Sequence, residues 1–217
     1  ASATDVIIQE HVVGLEFGVF YFRYPQSECG KIFSITRKLF PSVTGDGEST
    51  VENLILKDNR AVCMARTYID AQGENVWDVP AKGESVQLTE IGTHCLGSVF
   101  LDGSEIRTKE MEKAIDQLAK GFEGFYFGRF DIRTPLLTDF RQGRNFKVIE
   151  LNGVTSEATS IYDPKNSLFA AYRVLFNQWR IAFEIGAQNR VGGAEPASLM
   201  RLARLVFEKW RRKGERS

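Results

Sequence analysis

Phe125-Tyr126-Phe127-Gly128-Arg129-Phe130-Asp131-Ile132-Arg133 and Phe146-Lys147-Val148-Ile149-Glu150-Leu151-Asn152 are two aromatic and β-branched runs, separated by the turn signal Gln142-Gly143-Arg144-Asn145. They read as strands over residues 124–132 and 146–151. Asp131 interrupts an otherwise apolar strand, and Glu150 and Asn152 stand two apart at the end of the other. Residues i and i+2 of a strand share a face, so Glu150 points the same way as Asn152, and Arg129 the same way as Asp131. If the two strands pair, Asp131 finds room beside both. Two carboxylates and an amide oxygen are a hard-oxygen set of the kind that suits Mg²⁺ at nucleotide phosphates. A guanidinium on the same face suits a phosphoryl or carboxylate oxygen. The spacing equally allows Asp131 and Glu150 to be paired with Arg129, Arg133 or Lys147 on a solvated face.

Outward from this pair, the chain alternates short strands with helices. Asp5–Gln9, residues 17–24 and residues 31–37 read as strands, the last two as a hairpin broken at Gly30. Residues 41–47 read as a loop, and Ser49-Thr50 followed by Glu52, Val51, Leu54 and Ile55 as a capped helix ending near Asp58. Residues 63–83 have weak helical character and then turns. Ser85–Glu90 alternates like a strand, residues 92–97 form a glycine-bounded loop, and residues 99–101 form a short strand closed by the turn Asp102-Gly103. The clearest helix spans residues 108–122, capped by Thr108, with Met111, Ala114, Ile115, Leu118 and Phe122 on its apolar face. Residues 168–185 and 196–213 are helical, parted at Gly192-Gly193. The expected class is α+β with a largely antiparallel sheet.

The 217 residues are 43% hydrophobic and 26% charged, and 28 Lys plus Arg balance 28 Asp plus Glu. A neutral chain disfavours whole-surface attraction to nucleic acid or anionic lipid, although the basic C-terminus leaves a local one open. Arg201, Arg204, Lys209, Arg211, Arg212 and Lys213 read there as a solvated face or as a binding surface. No apolar run reaches the ~18 residues of a membrane span, and no signal peptide is visible. Cys29, Cys63 and Cys95 are scattered, which argues against a disulfide framework or a structural zinc site and for reduced thiols in a cytoplasmic protein. Cys95 adjoins His94, but neighbours along a strand face apart, which weighs against a nucleophile–base pair.

Arg129-Phe130-Asp131 on one strand, followed by Glu150-Leu151-Asn152 and a glycine-containing loop, resembles the metal-binding end of the ATP-grasp superfamily, which includes D-alanine–D-alanine ligase, glutathione synthetase and cyanophycin synthetase. The resemblance implies that Asp131, Glu150 and Asn152 hold magnesium (or manganese), and that Arg129 helps hold the transferred phosphoryl group. The loop Gly153–Thr159 departs from the Pro-Gly-Met-Thr form of the dipeptide ligases, which leaves the substrate open. Val6–Glu16 resembles the hinge of the same fold, with Gln9, Glu10 and Val12 toward adenine and Glu16 toward the ribose. Val43–Ile55 resembles a Gly-Asp-Gly loop and helix of that superfamily, preceded by Arg37 and Lys38, and Thr93–Gly97 takes the place of its asparagine-rich loop.

On this resemblance, residues 5–165 are an ATP-grasp C-terminal lobe and residues 166–217 a helical extension, with the N-terminal lobe lying outside the chain. The implied activity is an ATP- and Mg²⁺-dependent ligation in which a carboxylate, activated as an acyl phosphate, is attacked by an amine. The implied partners are ATP, an acid and an amine of unspecified identity, and the missing lobe; neither membrane nor nucleic acid is expected. Phosphoryl transfer without ligation, or nucleotide binding without turnover, are the alternatives.

Overall fold

The computed structural model describes residues 8–90 and 92–214, without the side chains of residues 94, 209 and 212–214. Its centre is a five-stranded sheet formed by β1 (Leu15–Phe22), β2 (Lys31–Leu39), β5 (Val99–Asp102), β6 (Phe127–Thr134) and β7 (Lys147–Asn152). The strand order is β5-β2-β1-β6-β7 and every pairing is antiparallel. The α+β class and the antiparallel sheet are as the sequence implies. The anticipated strand over residues 5–9 lies outside the described residues up to residue 7, and Ile8 and Gln9 belong to no regular element.

One face of the sheet is apolar. Phe17, Val19, Tyr21, Ile35, Phe130 and Ile132 pack there against Met111, Ile115 and Ala119 of α3 (Lys109–Lys120) and Phe140 of α4 (Leu137–Arg141). Burying side chains of this size contributes about 1.5–3 kcal/mol each. α3 starts where Thr108 accepts a hydrogen bond from the Met111 amide at 3.1 Å, and its first turn carries Glu110 and Glu112, which suit the positive end of the helix dipole. Phe122, placed on the apolar face by its spacing, falls beyond the helix end and is 42% exposed. Asp116 is the polar member of the buried face: it accepts from Tyr21 Oη, the Gly30 amide and Lys120 Nζ, each at 2.7 Å.

A second, smaller core gathers Val43, Val51, Leu54, Ile55, Ala61, Tyr68 and Leu88. It lies between the hairpin of β3 (Ser42–Thr44) with β4 (Ser85–Gln87) and the helices α1 (Val51–Lys57) and α2 (Ala65–Gln72). β3 occupies what the sequence suggested was wholly loop, and β4 is three residues shorter than the alternation implied. α5 (Leu168–Val191) covers part of the second face of the main sheet, where Ile181 and Ile185 meet Phe20 and Phe127. α6 (Leu199–Gly214) follows it. No helix among the described residues is long and apolar enough to cross a membrane.

Candidate functional site

The second face of the sheet is polar where α5 does not cover it, and the strand register explains why. Glu16 on β1 stands opposite Lys38 on β2 and opposite Arg133 on β6. Two residues along, Gly18 stands opposite Thr36 and Asp131, and Asp131 opposite Glu150 on β7. Two further, Phe20 stands opposite Arg129, and Arg129 opposite Asn152. Directly opposite residues of an antiparallel pair project to the same side, so Arg129, Asp131, Glu150 and Asn152 form one patch. A bulge after Asp131 inserts Ile149 into β7 and keeps Glu150 in register with Asp131.

Most of this charge is already paired. Lys38 Nζ donates to Glu16 Oε1 at 2.7 Å and to Asp131 Oδ2 at 3.0 Å. Arg129 Nε donates to Asp131 Oδ1 at 2.7 Å, and Arg133 Nε to Glu16 Oε2 at 2.8 Å. The result is an alternating chain, Arg133–Glu16–Lys38–Asp131–Arg129, whose three inner side chains are no more than 5% exposed. Glycine opens the space for it. A Cβ on Gly18 would come within 3.1 Å of Arg129 Cδ, and one on Gly92 within 2.7 Å of Glu16 Oε1. Lys38, which the sequence marks only as a base preceding the Gly-Asp-Gly stretch, is the centre of the network, and its ammonium lies 5.8 Å from the Phe100 ring centroid. The signal for it lies in the hairpin: Lys38 and Glu16 fall in register once β1 pairs with β2, and the sequence of either strand does not fix that register.

A cavity of about 390 Å³ opens on this patch, lined by Glu16, Lys38, Asp131, Arg129, Glu150 and Thr159 among others. Its walls carry five carboxylates, Glu16, Glu90, Asp131, Glu150 and Glu157, against three cations, Lys38, Arg129 and Arg133, an excess of two negative charges. Glu150 is exposed and has no hydrogen-bond or ion-pair partner among the described residues. Asn152 Nδ2 is buried without a partner. Its strand can approach β6 closely because Gly128 lacks a Cβ, which would fall 2.2 Å from the Asn152 carbonyl. The loop after β7 is fastened from beneath: the Ala158 amide donates to Gln178 Oε1 at 2.8 Å, and Gln178 Nε2 donates to the Ser156 carbonyl at 3.0 Å. Arg129 Nη1 reaches the Glu157 carbonyl at 3.1 Å, tying the same loop to the patch. Among the described residues, no three of His, Cys, Asp and Glu gather as a ligand cluster; the set here is two carboxylates and an amide.

The segment before β1 runs beside β7. Gln9 Nε2 donates to the Ile149 carbonyl at 2.9 Å, Glu10 pairs with Lys147, and Arg133 Nη1 donates to the Val12 carbonyl at 2.8 Å. A smaller hollow of about 260 Å³, lined by His11, Val13, Gly14, Phe40 and Gln87, shares Glu90 and Arg133 with the main cavity. Thus Glu16 lies inside the main cavity, whereas Gln9 and Glu10 lie along β7 and Val12 beside Arg133 of β6. Cys95 is exposed, as are Cys29 and Cys63.

No family model matches the chain, and no curated protein matches it. Among solved structures, it is similar to a bifunctional glutathione synthetase from Pasteurella multocida, with a TM-score of 0.47 and 18% identity, covering 79% of this chain and 24% of that one. The chain thus spans about a quarter of the length of the structure that it matches.

Proposed function

We propose that the polar patch is the metal- and phosphate-facing side of an ATP site, in a protein that activates a carboxylate as an acyl phosphate for attack by an amine. The observation that carries the reading is the register of β6 and β7, which sets Asp131 opposite Glu150 and Arg129 opposite Asn152; Arg129, Asp131 and Glu150 line the cavity, and Asn152 stands beside its lining. The residues fit a magnesium ion. Glu150 is unpaired, and Asp131 Oδ1, which accepts from Arg129 Nε, keeps a second lone pair for a cation. Asn152 Nδ2 is buried without a partner, so no hydrogen bond of that nitrogen holds it in place and the amide can present its oxygen instead. Asp131, Glu150 and Asn152 would hold the ion, and magnesium, when bound, supplies charge neutralisation at phosphate oxygens.

The chain's own side chains account for the rest. Arg129 is held by Asp131 and by the Glu157 carbonyl, so its guanidinium needs little reordering to meet a phosphoryl oxygen. Both Glu16 oxygens are bonded, yet each keeps a lone pair for a ribose hydroxyl. The hollow beside His11 and Val13 suits an adenine ring, bordered by the segment that contains Gln9, Glu10 and Val12. One observation favours the second reading, nucleotide binding without turnover: Lys38 and Arg129 both already neutralise Asp131.

The test is calorimetry of MgATP and of ATP without metal on the 217-residue chain and on Glu150→Gln. Glu150 is exposed and unpaired, so the variant keeps the fold. The expected result is magnesium-dependent binding that weakens at least about tenfold in the variant. Absent binding, or binding that the variant leaves intact, overturns the site. Phosphate release from ATP that depends on an added acid and amine separates ligation from binding alone, and product analysis separates it from transfer to another acceptor.

A further inference from the structure

α6 is unlike the other helices: each of its side chains from Leu199 to Phe207 is exposed, as are Trp210 and Arg211. At 100° per residue, Leu199, Leu202, Ala203, Val206, Phe207 and Trp210 fall within an arc of about 140°. Arg201, Arg204, Glu208 and Arg211 fall on the opposite side, and Leu205 and Lys213 depart from the pattern. The 16 residues include six bases, Arg201, Arg204, Lys209, Arg211, Arg212 and Lys213, and a single acid, Glu208. That acid is already spoken for by Arg204, whose Nε lies 3.0 Å from Glu208 Oε1.

We propose that α6 lies in the plane of an anionic lipid surface, with Leu202, Val206, Phe207 and Trp210 entering the acyl boundary and Arg201, Arg204 and Arg211 meeting the headgroups. Charge complementarity selects this occupant. The chain is neutral as a whole, so five net positive charges on α6 leave five net negative charges on the remainder, which turns the helix toward an anionic leaflet and the body away from it. A second copy would bring one strongly basic helix against another, which is repulsive. A helix of 16 residues is also shorter than the ~20 needed to span, so it lies on the surface and does not cross it. Exposed Leu, Val, Phe and Trp on one side of a basic helix is the composition that interfacial helices use.

The experiment is co-flotation of the 217-residue chain with vesicles of phosphatidylcholine alone or with about a third phosphatidylserine. It is paired with fluorescence of Trp210 in a Trp77→Phe/Trp179→Phe background, both replaced residues being exposed. The expected result is flotation with the anionic vesicles only, a blue shift of Trp210 emission, and loss of both at about 1 M salt, where the screening length is ~3 Å. Each basic residue near such a leaflet is worth about a fivefold factor in partitioning, so Arg201→Glu/Arg204→Glu should weaken binding at least about 25-fold. Val206→Asp should abolish the blue shift, and circular dichroism of both variants checks that the helix persists. Equal binding to neutral vesicles, or no binding to anionic ones at low salt, overturns the proposal. A dimer that Val206→Asp dissociates, without vesicle binding, assigns the face to a second copy and overturns it as well.

Discussion

Replacing Lys38 with methionine separates a buried charge network from a solvated one. The ammonium bridges Glu16 at 2.7 Å and Asp131 at 3.0 Å, with the three side chains between 3% and 5% exposed. Removing one partner of a buried ion pair costs about 3–5 kcal/mol, because the remaining charge loses its compensation where water cannot replace it. Here each carboxylate keeps an arginine, Glu16 through Arg133 and Asp131 through Arg129, which places the cost near the lower end, about 3 kcal/mol. Methionine preserves the apolar stem beside Phe100, so lost packing adds little. With a urea slope of about 2.5 kcal/mol/M for a chain of this length, the unfolding midpoint should fall by about 1.2 M. The companion variant Asp131→Asn, alone and combined with Lys38→Met, should show losses that do not add, since both remove the same contact. A midpoint shift under about 0.4 M, or about 1 kcal/mol, is what an exposed pair yields and would refute the reasoning.

Two other outcomes follow from particular contacts. Gly30→Ala would set a Cβ 2.2 Å from Tyr21 Oη, displacing the phenol from Asp116; overpacking of this kind costs about 2 kcal/mol, which thermal unfolding should report as a fall of roughly 6 °C, and an unchanged Tm would refute the tight approach. Asp46 has its carboxyl held down to about 2, first by the Ser49 amide, then by the Ser49 hydroxyl and the Glu48 amide. A depressed native value means that the ordering it gives the loop is complete above the ordinary carboxylate range and is lost as pH falls through about 2. Carbon-detected titration should therefore place the Asp46 midpoint near 2, with the Ser49 amide shift moving in step; a midpoint at the ordinary value refutes the hydrogen-bonded turn.

What the sequence revealed and what it withheld divide along physical lines. The positions of β1, β2, β5, β6 and β7 were readable within two or three residues, because β-branched and aromatic runs bounded by glycine carry their own signal. Thr50 and Thr108 were readable as helix caps for the same local reason: each side chain accepts from the amide three residues on. The face shared by Glu150 and Asn152 needed only the two-residue period of a strand. The pairings between strands were not readable. Lys38 and Asp131 are 93 residues apart, and nothing within either segment states that β2 and β6 both flank β1. β3 was missed because it has only three residues, too few to show alternation, whereas β4 was read as a strand that runs three residues too far. α5 was found as a helix, but its faces were not told apart. Ile181 and Ile185 pack on the sheet, while Phe169, Phe176 and Phe183 are more than 70% exposed, and an apolar residue on every side gives no direction.

The two faces of the main sheet explain why the candidate site lies where it does. The face toward α3 is filled by side chains of high apolar area, and the one ionised group that enters it, Asp116, is met by three donors. The other face is covered by α5 only from Phe20 toward Phe22, and the loop that Gln178 anchors covers it through the hydrogen bond from Thr159 to Thr36 at 3.0 Å. Beyond that, the sheet faces the cavity with charged side chains, where an unpaired charge in partial burial would be costly. The network answers that cost by pairing each inner group, and it leaves Glu150 at the rim as the carboxylate without a partner among those set on β6 and β7. Asp131 is met by Lys38 and Arg129, whereas Glu150, exposed on the neighbouring strand, is met by no cation among the described residues. On the proposed reading, a positive ligand would sit where Asp131 and Glu150 face each other across the strand pair, and Glu150→Gln is the substitution that removes the unpaired acid without opening the network. If the unliganded chain becomes more stable in Glu150→Gln while its magnesium-dependent nucleotide binding weakens, the acid is held there for a ligand; if stability falls and binding is unchanged, it belongs to the fold.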